Sequence, residues 1–345
     1  MTAPGSAVLQ DHLCSVPGPE LRTLLAAPGS AAVLIDGSRD PNSGVTVLVV
    51  PADPQEPGLA VKIATTATAA AIIAGEARLL VALRRRRLHQ VGPTLPRHAG
   101  VFDADGMLAV AASMVPGIPM STGYHAFRHF ARPGRVRSDF AAAENWLAAL
   151  HADSLAEPAP ITLLDGVAER ITARWPDDPA AHQLGEALGP VAARLASATT
   201  PRTVVHGDFW AGNVLVTRGT VTGVVDWACG EVSGEPLRDV ARFALSYSLY
   251  LDRHTRAGRP VAGHPGLRAD GWGAGIRYAI AGEEWFGRLV RDFVADALAR
   301  LGAPPQLWRA VMLAGLAEVA ATADHPEFAA HHRDLLLRLI REGRP

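Results

Sequence analysis

Residues 204–216 read VVHGDFWAGNVLV, and residues 224–227 read VVDW. Within these β-type apolar runs stand Asp208, Asn213 five positions later, and Asp226 thirteen positions after that. Phosphoryl transfer from ATP needs a carboxylate that orients the acceptor hydroxyl, and oxygen ligands that hold Mg²⁺ against the phosphates. An aspartate, a short loop, an asparagine and a second aspartate at a strand end supply that set. A lone His-Gly-Asp would instead favour a capped turn, so the prediction depends on the spacing of all three residues.

The segments on either side of this stretch differ in pattern. Apolar runs bounded by turn residues predict strands at 31–37, 45–50, 59–64 and within 97–115. One long Ala-rich segment, from about 68 to 87, predicts a helix among these strands. Later in the chain, 138–153 and most of 236–342 carry apolar residues at helical spacing.

This order of elements predicts an α+β protein of two lobes. Residues 1–115 would form a small N-terminal lobe with a β-sheet and one helix, which we expect to bind nucleotide. Residues 116–345 would form a larger, mainly helical lobe that carries the catalytic loop and binds the acceptor.

The composition excludes several other classes of protein. The formal net charge is −1, which provides no field to attract nucleic acid or an anionic membrane, so we predict neither partner. The two cysteines, Cys14 and Cys229, cannot form a disulfide framework and suit a reducing cytoplasm. The chain shows no signal-peptide pattern, and we expect a cytoplasmic monomer or homodimer.

The HGD-x4-N motif at 206–213, together with Asp226, resembles the catalytic and metal-binding segments of the aminoglycoside phosphotransferase and choline kinase families. Those families have a bilobal, protein-kinase-like fold, and the resemblance covers about residues 31–243. It implies that Asp208 is the catalytic base, and that Asn213 and Asp226 are the magnesium ligands.

Lys62 is the only lysine in the chain, and Glu76 lies 14 residues after it on the predicted helix. A compact ammonium on a rigid strand can reach phosphate, and a glutamate on a helix can fix its direction. The alternative is that neither residue has a role in binding, with Lys62 a surface residue of the strand and Glu76 an exposed residue of the helix. The resemblance implies that Lys62 holds the α- and β-phosphates of ATP, with Glu76 as its ion-pair partner.

The remaining nucleotide contacts follow from the resemblance as well. Backbone groups from Ser113 to Val115 would bind adenine at the hinge between the lobes. No Gly-x-Gly-x-x-Gly occurs at the first hairpin. Ser38 and Ser43, with their backbone amides, would therefore cover the phosphates in its place.

Three further features of the sequence bear on its similarity to these families. His206 is similar to a histidine that orients the catalytic loop, and Asp239 to a structural carboxylate after the metal-binding aspartate. Residues 226–228 are Asp-Trp-Ala where protein kinases have Asp-Phe-Gly, which favours the antibiotic- and choline-kinase branch. A P-loop kinase is excluded because no Gly-x4-Gly-Lys-Ser/Thr occurs.

Together these features predict an ATP- and Mg²⁺-dependent O-phosphotransferase that acts on a hydroxyl of a small molecule: an antibiotic, a sugar or an amino alcohol. From Arg238 to the C-terminus, 15 arginines stand against 12 acidic residues, so a polycationic aminoglycoside would need a local acidic cluster. Two alternatives stay open: a kinase for Ser or Thr of a biosynthetic precursor peptide, and a catalytically inactive nucleotide-binding protein.

Overall fold

The structure is a computed structural model of the chain, and it describes residues 29–35, 44–53, 56, 58–104 and 106–343. Its strands are β1 Ala31–Ile35, β2 Val45–Val50, β3 Leu59–Ile63, β4 His98–Ala104, β5 Met107–Ser113, β6 Ile118–Pro119, β7 Pro158–Pro160, β8 Thr199–Pro201, β9 Thr203–Val205, β10 Val214–Thr217, β11 Thr220–Val224 and β12 Glu231–Gly234. Its helices are α1 Ala67–Arg85, α2 Pro133–Ser154, α3 Val167–Arg174, α4 Pro179–Ala196, α5 Leu237–Leu249, α6 Ala274–Ala281, α7 Trp285–Arg300, α8 Trp308–Thr322 and α9 Pro326–Glu342.

The chain divides into two compact units. The first contains Met1–Pro116 and Thr222–Gly230, and the second contains Gly117–Val221 and Glu231–Pro345. The sequence pattern had placed residues 222–230 with the helical region. They belong to the first unit because side chains of β3 and α1, far away in sequence, bind the turn after β11. The roles assigned to the two regions, nucleotide binding and acceptor binding, stay predictions.

In the first unit, strands β1 to β5 form an antiparallel sheet in the order β1-β2-β3-β5-β4. Burial alternates along β3, where Leu59, Val61 and Ile63 enter a core shared with β2, β4 and β5. Lys62 therefore lies on the other face, opposite Val110 of β5. The period-2 pattern of β3 thus decides the face on which the only lysine stands.

Helix α1 covers the face of the sheet that carries Lys62. It begins after Thr66, whose side-chain oxygen accepts a hydrogen bond from the N–H of Ala69 at 3.0 Å. Buried residues at helical spacing, Ala69, Ile73 and Ala77, pack against Val110. The expected helix at about 68–87 is present, but it ends at Arg85 because the next residue is extended.

The second unit is mostly helical and has an aromatic core. Phe140 of α2 makes edge-to-face contacts with Phe243, Phe286 and Phe293, with ring centroids 5.2 to 6.0 Å apart. Tyr247 is fully buried beside Phe140, with centroids 5.0 Å apart. These contacts join α2, α5 and α7 into one scaffold. The helix that the spacing in 138–153 predicted is present as part of α2.

Helix α8 is buried at almost every position from Ala310 to Ala320. It packs closely on α5 because Gly315 has no side chain: a Cβ atom there would lie 2.9 Å from the Cβ of Ala241 and 2.8 Å from Leu245. Although α8 is strongly apolar, no helix in the described part of the chain is both long and hydrophobic enough to span a bilayer.

Two short strand pairings hold the ends of the segment that carries the catalytic motif. Val205 of β9 lies opposite Glu231 of β12, and Leu215 of β10 lies opposite Pro119 of β6. The motif residues between β9 and β10 therefore form a loop with both ends anchored. With its sheet-bearing first unit and mainly helical second unit, the chain has the α+β fold that the sequence predicts.

Candidate active site

Lys62 is the centre of a charged cluster in the first unit. Its Nζ lies 2.6 Å from Oε2 of Glu76 and 2.8 Å from Oδ1 of Asp226. The family resemblance implied the pairing with Glu76, and the structure contains it. The contact with Asp226, which is 164 residues away, brings together a proposed phosphate-binding residue and a proposed metal ligand.

The ammonium of Lys62 is held in its charged form. Burial disfavours the charge, but the coulombic attraction and hydrogen bonds of Asp226 and Glu76 outweigh it and raise the pKa of Lys62. The side chain is still 27% exposed, so a ligand can reach it. A permanently charged, directed and accessible ammonium is suited to binding phosphate oxygens.

The turn after β11 sets the direction of Asp226. This residue has a left-handed backbone with φ 67°, and its side chain is 49% exposed. The next residue, Trp227, is fully buried; its indole N–H donates to the carbonyl of Val224 and its backbone N–H to Oε1 of Glu76. The buried tryptophan and the glutamate therefore fix a backbone conformation that is unfavourable for aspartate, and Asp226 stays accessible.

In the second unit, Asp239 of α5 organises the start of the loop at residues 206–213, which carries the candidate catalytic residues. Its two carboxylate oxygens accept the backbone N–H groups of His206 at 2.7 Å and Gly207 at 2.8 Å. Burial raises the pKa of Asp239, while His206 and the two N–H bonds act in the opposite direction. The structural role that the sequence predicted for Asp239 agrees with these contacts. Gly207, at φ 81°, allows the chain to turn at this point.

Asp208 is held by several partners within the second unit. Its backbone N–H donates to Nδ1 of His206 at 3.2 Å, which is the loop-orienting contact expected of that histidine. Nδ2 of Asn213 donates to the carbonyl oxygen of Asp208 at 3.0 Å and to its Oδ2 at 3.2 Å. The Asp and Asn of the motif are therefore in direct contact, and the Asp208 side chain remains 28% exposed.

The remaining partner of Asp208 is a residue that the sequence analysis did not select. Nε of Arg242 lies 2.7 Å from Oδ1 of Asp208. A signal was present: Arg242 follows Asp239 by three positions on α5, so both project from one face of the helix toward the same loop. The charge of Arg242 alone did not distinguish it among 33 basic residues.

Aromatic packing holds the middle of the loop. Phe209 is fully buried and stacks on Trp146 of α2, with ring centroids 5.1 Å apart and planes at 10°. The ring of Trp210 lies so close to Gly212 that a Cβ atom there would overlap it. In the second unit Trp146 and Trp210 therefore pack against this loop.

Some backbone groups of the segment proposed to bind adenine already form hydrogen bonds with other residues. The N–H of Ser113 donates to the carbonyl of Arg97, and its hydroxyl accepts the N–H of Arg97, both at 2.8 Å. The N–H of Met114 donates to the carbonyl of Gly58. Among the described residues, Val115 has no backbone hydrogen bond and is free to bind a ligand. Ser38 and Ser43 lie outside the described residues.

Known proteins agree with this fold. A family model described as the phosphotransferase enzyme family matches residues 41–276, about two thirds of the chain. Among solved structures, a thermostable mutant of aminoglycoside phosphotransferase APH(4)-Ia in ternary complex with AMP-PNP and hygromycin B is similar, with a TM-score of 0.60 and 13% identity. That match covers 98% of this chain and 99% of the other.

A second solved structure, ADP-bound aminoglycoside phosphotransferase APH(2'')-Ib, has a TM-score of 0.52 and 13% identity, covering 96% of this chain and 97% of the other. No curated protein matches the sequence. At such identities the structures show the fold, which is kinase-like, and the predicted resemblance to aminoglycoside phosphotransferases is confirmed. With its family model matched over most of its length, the chain belongs to the phosphotransferase enzyme family.

Proposed function

We propose that the protein is an ATP- and Mg²⁺-dependent O-phosphotransferase that transfers the γ-phosphoryl group to a hydroxyl of a small molecule. The observation that carries the proposal is the position of Lys62 between Glu76 and Asp226. It is supported by membership of the family and by neighbours of the same fold that were solved with AMP-PNP, with ADP and with ATP.

The first unit supplies the nucleotide contacts in this proposal. Lys62 binds the α- and β-phosphates, and Glu76 keeps the ammonium in place. Val115 offers its free backbone groups to adenine, while the N–H of Ser113 is already bonded. Ser38 and Ser43 remain our candidates for covering the phosphates.

Asn213 of the second unit and Asp226 of the first remain our candidates for Mg²⁺ ligands, each argued from its surroundings within its own unit. Nδ2 of Asn213 is bonded to Asp208, which leaves the amide oxygen available, and the carboxylate of Asp226 is half exposed. Amide and carboxylate oxygens are ligands that Mg²⁺ prefers, and it usually takes few protein ligands besides phosphates and water. Accordingly, among the described residues no group of three or more His, Cys, Asp or Glu side chains could hold a metal. The bound ion would neutralise phosphate charge.

Asp208 acts on the acceptor. Its carboxylate accepts the proton of the acceptor hydroxyl as the oxygen bonds to the γ-phosphorus. The bond from that phosphorus to the bridging oxygen breaks, and ADP leaves with the electron pair. Asn213 and Arg242 hold the two carboxylate oxygens in one orientation, which keeps the base directed toward the acceptor.

Replacing the base tests this assignment. We expect Asp208→Asn to lower kcat by about 10²- to 10⁴-fold because the amide cannot accept the proton, while ATP binding is retained. ADP release with product mass measures transfer, and calorimetry with AMP-PNP measures binding. Asp270→Asn, which removes an exposed carboxylate of the second unit, is the matched control. Undiminished turnover in Asp208→Asn would refute the role of Asp208.

An ADP-release screen distinguishes the possible acceptors. Aminoglycosides, sugars, amino alcohols and Ser- or Thr-containing peptides are each offered with ATP and Mg²⁺, and products are identified by mass. Phosphorylation confined to peptides would favour a precursor-peptide kinase. A complete lack of Mg²⁺-dependent ATP turnover across the panel, including slow hydrolysis by water, would favour an inactive nucleotide-binding protein.

A further inference from the structure

Among the described residues, the guanidinium of Arg242 has N–H donors that form no hydrogen bond, and it lies beside the proposed base, Asp208. Its Nε is bonded to Oδ1 of Asp208 at 2.7 Å, and its side chain is 29% exposed. Within the described part of the chain this is its one hydrogen bond or ion pair with a carboxylate, and Nη1 and Nη2 make none. A guanidinium has five N–H donors in a rigid planar fork. Its outer edge is therefore available to a ligand bound at Asp208.

Arg238, the neighbouring arginine on the same helix, differs from Arg242 in its ion pairs. Arg238 is occupied by two carboxylates: its Nε lies 2.6 Å from Glu318 and its Nη1 3.0 Å from Glu231. Glu318 is thus paired with Arg238. Burial raises the pKa of Glu318, and Arg238 and then Arg242 act in the opposite direction. His332 of α9, which also lies near Arg242, has its pKa lowered to about 4 by burial and is neutral at pH 7.

On the basis of the proposed function, we infer that Arg242 selects an acceptor that carries an anionic oxygen group, a carboxylate or a phosphate, next to the hydroxyl to be phosphorylated. One edge of the guanidinium holds Asp208, and the other binds two oxygens of the acceptor. Arginine is suited to such two-oxygen recognition. An ammonium group of an acceptor at the same place would be repelled by the guanidinium of Arg242. The carboxylate of Asp208 would not offset this repulsion, because it is already paired with Arg242. This makes a polycationic aminoglycoside a poor fit next to the reacting hydroxyl.

Probes that share a carbon skeleton test the inference. Glycerate, glycerol 3-phosphate, glycerol and 3-amino-1,2-propanediol are compared, as are gluconate, glucose and glucosamine. ADP release with product mass reports kcat and KM, and calorimetry with AMP-PNP and Mg²⁺ reports affinity. We expect the wild-type protein to favour anionic members over ammonium members by about tenfold or more, as expected for a charge-assisted hydrogen-bonded pair. Carboxylate and phosphate members separate the two sources of anionic oxygen.

Substitutions assign the preference to the guanidinium. Arg242→Gln removes the charge, and we expect KM for anionic members to rise about tenfold while KM for neutral members changes little. If kcat falls equally for all probes, Arg242 also holds the carboxylate of Asp208 in its position. Arg242→Lys should recover only part of the anionic preference, because one ammonium cannot hold Asp208 and a second anion with fork geometry. Arg277→Gln is the control for losing an exposed arginine of the second unit.

The outcomes separate this inference from the proposed function. Wild-type protein that binds or phosphorylates ammonium members as well as anionic ones, or that binds none of the anionic probes, overturns the inference. So does an anionic preference that survives in Arg242→Gln. Neither result affects the proposed function, which fails instead if the wild-type protein does not bind AMP-PNP or turn over ATP with Mg²⁺.

Discussion

Glu76 divides its carboxylate between two tasks. Oε2 binds the ammonium of Lys62, and Oε1 accepts the backbone N–H of Trp227. A single, largely buried carboxylate therefore directs the lysine and fixes the turn that presents Asp226. Leaving either donor without a partner would be costly, because the groups are shielded from water.

The substitution Glu76→Gln tests this dual role. The amide has one acceptor oxygen where the carboxylate has two, so its NH₂ group must face either the Lys62 ammonium or the N–H of Trp227. We expect kcat/KM for ATP to fall by about 10- to 100-fold, corresponding to roughly 1.4 to 3 kcal/mol.

Steady-state kinetics with varied ATP measures the effect, and circular dichroism verifies folding. Glu186→Gln, at an exposed position of α4, is the control. A variant that is folded and has the wild-type kcat/KM for ATP would show that the direction of Lys62 does not depend on this carboxylate.

Among the secondary-structure elements, the residue at which a helix begins decides where its polar side chains lie. The first turn of α5 puts Asp239 beneath the backbone of the catalytic loop. The cap of α1 at Thr66 follows β3 closely, so it sets where along the sheet the helix starts and hence where Glu76 meets Lys62. Both effects come from local sequence acting through rigid elements.

We expect Thr66→Ala to destabilise α1 by about 1 kcal/mol, because the N–H of Ala69 loses its side-chain acceptor. Thr66→Ser retains the hydroxyl and should stay close to wild type. Hydrogen exchange at the start of α1 reports the local change. Equal exchange in the alanine and serine variants would show that the cap contributes nothing to this helix.

At the scale of the whole molecule, buried histidines should make stability depend on pH. Burial lowers the pKa of His151 to about 3, with Arg300 adding to the effect, and the pKa values of His264 and His332 to about 4. An unfolded histidine has a pKa near 6.5. Between about pH 6.5 and 4 the unfolded chain therefore binds more protons than the folded one, and the stability present above pH 6.5 is lost as the pH falls.

We expect the free energy of unfolding to decrease from pH 7 to pH 4, although the raised pKa values of Glu235, Glu318 and Asp239 act in the opposite direction. Removing one buried histidine with His332→Asn should reduce the slope by up to about 1.4 kcal/mol per pH unit. Denaturant unfolding at several pH values measures it. A slope unchanged in His332→Asn would contradict the neutral buried state.

Local patterns in the amino-acid sequence are enough to predict most of the elements and most of the candidate residues. Alternating and helical patterns predicted β3, α1 and the helical second unit because periodicity and turn residues act locally. The resemblance of the sequence to a known family implied the pair of Lys62 and Glu76, which the structure contains. The loop motif held Asp208 and Asn213 together because only five positions separate them.

Contacts between residues from distant parts of the chain could not be predicted, because they arise only when the chain folds. The segment with Asp226 belongs to the first unit because Lys62 and Glu76 bind it, and no local pattern encodes a contact over 164 residues. The pairing of Arg242 with Asp208 likewise depends on how α5 packs beneath the loop. The neutrality of His332 depends on the residues that surround it, because a pKa reflects burial and neighbouring charge, which exist only after the chain has folded.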